Sequence, residues 1–229
     1  RDEWDREAAL LRLRRNIDFI AATNKQLYEK YGHDRKIIPT IENSPNEGRW
    51  ICQTLEDCRR AIDGYSDEVK LTLDYGHAMT VKGGRGALLA QLKNTEIGDN
   101  IVSLHMHHSP VVDHEARHVH APLSAVPKGN LGALARDLRD IVHHTAIRRQ
   151  GYVTMEVPSG DPFDYMPWLR RRKTLTALVN RFLNGTRLFE DSGYRGTMKD
   201  QLASLALLKG MLDDIALDGA ESQVFRSRN

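Results

Sequence analysis

A carboxylate or an imidazole closes each of four short apolar segments: Ile-Pro-Thr-Ile-Glu42, Leu-Thr-Leu-Asp74, Val-Ser-Leu-His105 and Val-Thr-Met-Glu156. Two positions earlier stands a small hydroxyl residue, Thr40, Thr72, Ser103 or Thr154, with Ile41, Leu73, Leu104 or Met155 in between. Oxygen and imidazole donors suit a hard-to-borderline divalent ion, and a mixed Glu/Asp/His/Glu set accepts Mn, Zn, Co or Mg. The plainer reading is four unrelated polar caps, each hydrogen-bonded without a metal. A single triplet carries little weight, because Thr and apolar residues fill strands anyway. Repetition on four successive segments is what points to one shared site.

Strand side chains alternate faces, so each hydroxyl and its ligand candidate look one way and the apolar residue the other. Four such strands in parallel would present a hydroxyl layer and a ligand layer inward and an oily back to helices. The C-terminal rim of a βα barrel is built in this way. Strands are expected at 37–42, 69–74, 101–107 and 152–157, although Pro39 inside the first argues for an edge or a bulge. The first helix is expected over residues 3–31, where Leu10, Leu13, Ile17 and Ile20 fall at helical spacing and Asp2, Glu3 and Asp5 suit the positive dipole end. Thr54 with Asp57 three residues on can cap a short helix, one runs to about residue 92 after Gly83 and Gly84, and Asn130 can cap another reaching about Arg149. Further helices are expected around 166–184 and 197–216, with the final dozen residues fraying. Alternating elements predict a parallel sheet whose right-handed crossovers bring the strand C-termini to one edge.

Composition narrows the class. At 229 residues the chain suffices for one large domain or two small ones, and 40% hydrophobic with 28% charged content is that of a soluble globular protein. A formal charge of +2 gives no strong pull toward nucleic acid. The basic run Arg170-Arg171-Arg172-Lys173 reads as a solvated helix face. Cys52 and Cys58 could pair only through a strained local loop, so a reduced, cytoplasmic location is expected. No segment approaches the ~20 apolar residues of a membrane span, and no secretory signal is expected. The chain begins with Arg rather than Met, and the expectation is an excerpt of a longer polypeptide.

Taken in order, Ile-Glu42-Asn43-Ser-Pro, Leu-Asp74-Tyr-Gly-His77, Leu-His105-Met-His-His108 and Thr-Met-Glu156-Val-Pro158 resemble the motifs of strands five to eight in the xylose-isomerase-like βα-barrel superfamily. That group includes ketose 3-epimerases, hydroxypyruvate isomerase, inosose dehydratase and endonuclease IV. The resemblance implies an α/β fold of the (β/α)8 TIM-barrel type, with residues 1–160 as its C-terminal half and 161–229 as a helical extension packing on the barrel or on a partner. It implies Glu42, Asp74, His105 and Glu156 as metal ligands. Glu42 and Glu156 would be an acid–base pair, and His77 a group that donates to a substrate oxygen. His120-Ala-Pro-Leu123 is similar to the family's His-x-Pro-Leu stretch. His108 stands where the family has Asp or Asn, and Ser124 replaces a glycine.

From His105 to His120 the chain holds six histidines. They read either as a second metal site or as a solvent-facing His-rich loop. His107, His108, His120 and Arg117 are the additional candidates for metal or substrate, and His107 faces inward in the strand register. His143 and His144 read as helix surface. A full barrel needs eight strands and ~250 residues. The other half is therefore expected from a longer polypeptide, a homo-oligomer or a partner chain.

The expected activity is a divalent-metal-dependent isomerase, epimerase or dehydratase acting on a sugar or small polyol through an enediolate-type intermediate. The alternatives are an endonuclease IV-like phosphodiesterase and a non-catalytic binding or assembly module that keeps the ligand layer. The partner expected is a small sugar-like substrate, with neither membrane nor nucleic acid.

Overall fold

The computed structural model of the chain describes residues 5–32, 37–46, 51–112, 115–116, 120–155 and 198–226. Helix α1, Arg6–Tyr31, starts where the Asp5 side chain accepts from the Ala8 amide and stops at Gly32, whose φ of 85° is a left-handed conformation that glycine tolerates best. Its inward face carries Leu10, Ile17 and Ala21, with Leu13 packed alongside. Ile20, expected on that face, is 43% exposed, one residue off the stripe.

Strand β1 is short, Thr40–Glu42. Pro39 stands just before it and still contributes to the sheet, because its carbonyl accepts from the Lys70 amide at 2.9 Å and only a donor is missing. Helix α2, Leu55–Ala61, opens with the expected capping box: Thr54 Oγ1 accepts from the Asp57 amide, and the Asp57 carboxylate accepts from the Thr54 amide. Strand β2, Lys70–Asp74, runs without a loop into α3, Tyr75–Thr80, a helix the periodicity does not reveal. Then come α4, Gly84–Leu92, α5, Thr95–Gly98, and β3, Ile101–Met106.

The loop beyond β3 contains a small antiparallel pair, β4 Val111–Val112 with β5 Glu115–Ala116, and two 3-10 turns at Leu123–Ala125 and Lys128–Asn130. Helix α6, Leu131–His144, follows; Asn130 sits at its start but its side chain makes no capping bond. The helix expected to reach Arg149 breaks at Thr145 and resumes as α7, Ile147–Gln150, before β6, Tyr152–Met155. The last helix, α8, Met198–Arg226, extends ten residues past its expected end into the stretch expected to fray. The helix expected at 166–184 lies outside the described residues.

The four longer-range strands form one parallel sheet in the order β1-β2-β3-β6. Its back is the core. Leu71, Leu73, Ile101 and Leu104 are fully buried there, and α6 adds Leu134, Leu138, Ile141 and Val142 at helical spacing. Each such side chain removed from water contributes about 1.5–3 kcal/mol. Helix α8 brings Leu208 and Met211 to the same core, and its buried Ser204 accepts from the Ser124 amide at 3.1 Å. Among the described residues no helix is long and apolar enough to cross a membrane.

The register corrects the picture of level layers. Glu42 is paired with Thr72, Asp74 with His105, and His105 with Thr154, so the ligand candidates climb from strand to strand. They still share a face, since paired residues point the same way. Stagger of this kind accompanies the strand tilt of barrels. The hydroxyl row is seen between neighbours: Thr72 Oγ1 donates to Thr40 Oγ1 at 2.8 Å.

Candidate metal centre

The site forms where β1, β2 and β3 end. Asp74 is fully buried and serves two elements at once, as the last residue of β2 and the cap of α3. Its Oδ1 accepts from the His77 amide at 2.7 Å. Its Oδ2 is buried and has no hydrogen-bond partner among the described residues. An orphaned buried carboxylate oxygen is costly unless something positive occupies it.

Asn43, just after Glu42, locks the neighbouring strand ends together. Its side-chain oxygen accepts from the Asp74 amide at 2.8 Å, and its Nδ2 donates to the Asp74 carbonyl at 3.0 Å. Both backbone groups of Asp74 are thereby satisfied beyond the reach of the short β1 ladder. In the sequence Asn43 stands out only as part of the Ile-Glu42-Asn43-Ser-Pro motif. The available signal was a buried-type amide placed directly after a strand-end carboxylate.

Glu42 lies about a third exposed between two imidazoles. Its Oε1 is 3.3 Å from His77 Nδ1, and its Oε2 is 3.1 Å from His105 Nδ1. Burial would push this carboxyl up, but hydrogen bonding to His105 and His77, reinforced by their charge, brings it down to about 2. His77 Nδ1 also lies 2.8 Å from the Asn43 carbonyl, which can only accept, so the proton belongs on Nδ1. Burial opposes a charge on His77, yet the Glu42 hydrogen bond, the Asp74 charge and the Asn43 carbonyl together hold its pKa above the ordinary histidine value.

Glu42, Asp74, His77 and His105 thus come together at the ends of β1, β2 and β3. Glu42, Asp74 and His77 offer ligand atoms within 4.8 Å of one another. With Nδ1 of His77 committed to Asn43, that imidazole is better suited to a neighbouring role than to ligation through Nδ1. The donor chemistry of Glu42, Asp74 and His105, and above all the orphaned Asp74 Oδ2, fits a divalent cation. Glu156 and Arg117 lie outside the described residues.

A second grouping, His77, His107 and His120, also has ring nitrogens within 4.8 Å. Its geometry speaks against one ion shared by all three. His107 and His120 are stacked, 4.0 Å apart and only 10° from parallel. Imidazole lone pairs lie in the ring plane, so two parallel rings direct them along separate planes and they do not meet on one cation. His120 instead faces His77, with the two Nε2 atoms 3.4 Å apart. His108 pairs through its main chain with Ala121, its amide donating to the Ala121 carbonyl at 2.8 Å. Burial, then the neighbouring His107, hold the His108 pKa down and keep the ring neutral. His143 and His144 are exposed at the end of α6, as the sequence suggests.

Behind the site Tyr75, the residue after Asp74, donates to Asp137 Oδ2 of α6 at 2.9 Å, while Arg85 Nε of α4 donates to Asp137 Oδ1 at 2.5 Å. Burial and then the Asp137 carboxylate push the Tyr75 hydroxyl far up, so it remains a donor. This triad, centred on the buried Asp137, ties the β2–α3 junction to two helices.

No curated protein and no solved structure gives a significant match to the chain. The family model described as xylose isomerase-like TIM barrel matches residues 1–174. That span takes in every strand of the parallel sheet and each residue of the candidate centre. The chain belongs to the xylose isomerase-like TIM-barrel family.

Proposed function

We propose that the chain is a divalent-metal-dependent isomerase, epimerase or dehydratase acting on a sugar or small polyol through an enediolate-type intermediate. The observation that carries this reading is the orphaned Asp74 Oδ2, fully buried beside Glu42 and His105 at the C-terminal ends of parallel strands. A Mn, Zn, Co or Mg ion bound there would supply Lewis-acid polarisation of a hydroxy-carbonyl substrate. Glu42, Asp74, His105 and Glu156 are the residues to hold it.

The remaining chemistry falls to the side chains. A carboxyl held at about 2 is a weak proton acceptor at neutral pH, which suits Glu42 to ligation more than to proton abstraction. Glu156 is then the stronger candidate for the base that removes the α-proton. His77 keeps its proton on Nδ1 against Asn43 and turns Nε2 toward His120, so the His77–His120 pair is placed to hold or pass a proton at a substrate oxygen.

The test is exchange of the α-hydrogen of hydroxy-carbonyl sugars with deuterated solvent, followed by NMR with and without added metal. Metal-dependent exchange in the wild type, lost in Glu156→Gln with folding retained, is the expected result. Exchange that persists in Glu156→Gln removes Glu156 as the base.

The facing Nε2 atoms of His77 and His120, 3.4 Å apart, favour a second reading, an endonuclease IV-like phosphodiesterase. Zinc-dependent nicking of abasic DNA without sugar exchange would select it. In either reading the barrel is completed by another segment or chain pairing with the outer strands β1 and β6.

A further inference from the structure

We propose that His107 is a positioning residue that sets the Asp74 carboxylate so that Oδ2 faces the ion; the inference rests on the metal-site reading above. His107 lies just past β3, and both it and Asp74 are 0% exposed. Its Nε2 is 2.9 Å from Asp74 Oδ1, a close electrostatic contact rather than an aligned hydrogen bond, while Nδ1 has no polar partner among the described residues. A neutral imidazole carries one N–H. Placing it on Nε2 puts a positive edge against Oδ1, the oxygen already held by the His77 amide. Both constraints act on the same oxygen, and Oδ2 is left free for a cation.

The ring is fixed on two sides. A side chain at Gly76 would place its Cβ 2.0 Å from His107 Cε1 and 2.3 Å from Nδ1, so the imidazole occupies the space that only glycine leaves. On another face His120 stacks at 4.0 Å. Ser109, two residues on, donates to the Gly76 carbonyl at 2.9 Å and ties the two segments together. A residue used only to fill the core would not need an imidazole here. A residue used to orient an acidic ligand needs a fixed positive edge at this point, and outer partners of metal ligands typically govern affinity by 10–100-fold.

Glutamine and methionine separate the positive edge from the volume, since they are nearly isosteric and only glutamine carries a polar N–H. Titration of the metal-free chain with Co(II), followed by its absorption spectrum and by calorimetry, is the experiment, with thermal unfolding of each metal-free protein alongside. We expect His107→Gln to bind within about threefold of the wild type and His107→Met about 10–100-fold more weakly, at unchanged metal-free Tm. Equal affinities in the two variants, whether both strong or both weak, overturn the proposal. If His107→Met does not fold, the His107→Gln spectrum decides. An unchanged spectrum supports positioning, whereas a shifted one makes His107 a ligand and overturns it. A wild type that binds no ion removes the metal-site reading itself, which is a different failure from equal binding by the variants.

Discussion

His105 stands directly beside Asp74 because β3 carries one more residue than β2 between their paired positions. Leu71 pairs with Ile101 but Thr72 pairs with Ser103, leaving Val102 as a bulge. Without it Thr72 would pair with Val102 and Leu104 would occupy the place beside Asp74, since a one-residue slip exchanges the faces of a strand. The site therefore depends on an irregularity as much as on the ligand types.

His105→Leu is expected to weaken divalent-ion binding by at least the ~10–100-fold that even an outer partner commands. Equilibrium dialysis with Mn(II) or Co(II) measures it, with circular dichroism to show that β3 is retained. Undiminished binding would locate the ion away from this strand.

The pH dependence of Glu42 has a defined sign. Its folded value is about 2 against an ordinary 4.5, so the stability it contributes is fully present above 4.5 and is lost as pH falls toward 2. In the metal-free protein, the Tm gap between wild type and Glu42→Gln should close as pH falls from 4.5 to about 2. A gap that widens on acidification would show that the neighbouring imidazoles do not hold this carboxylate.

Asp137, Tyr75 and Arg85 give a stability prediction behind the site. Asp137 is 2% exposed, so Arg85→Met leaves a buried carboxylate with only the Tyr75 hydroxyl among the described residues; because Arg85 is itself half exposed, the loss falls below the about 3–5 kcal/mol of a fully buried pair. Tyr75→Phe removes one hydrogen bond and is expected to lose about 1–3 kcal/mol. Urea unfolding should rank Arg85→Met as the more damaging. The reverse order would mean that Arg85, itself half exposed, does little to neutralise Asp137.

Much of this was legible in the chain, and the illegible parts have physical causes. The polar–apolar–ligand triplets place Glu42, Asp74 and His105 on one face because strand alternation is a local property. Thr54 and Asp57 reveal α2 for the same reason, their capping box being complete within four residues. Helix α3 escaped because Tyr75–Thr80 has only six residues and no apolar period, and its start depends on Asp74 already acting as a strand end. The Val102 bulge and the stagger of Glu42 against Thr72 are decided between strands, and no single segment encodes them. The His107–Gly76 fit is likewise a contact between distant segments, visible in sequence only as one histidine among six and one glycine after a Tyr.

Occupation of the site should be visible as stability. An ion that binds only the folded chain, supplied at a hundred times its Kd, stabilises it by about 2.7 kcal/mol. The expectation is that Mn(II), Co(II) or Zn(II) raises the Tm of the wild type, that chelation reverses the rise, and that Asp74→Asn abolishes it. Asparagine keeps the size of the side chain and an oxygen able to accept from the His77 amide, so the helix cap survives while the charge at the orphaned Oδ2 is gone. The variant thus separates the two tasks of Asp74, capping α3 and holding a cation. An equal rise in wild type and Asp74→Asn would mean that the stabilising ion binds elsewhere on the chain.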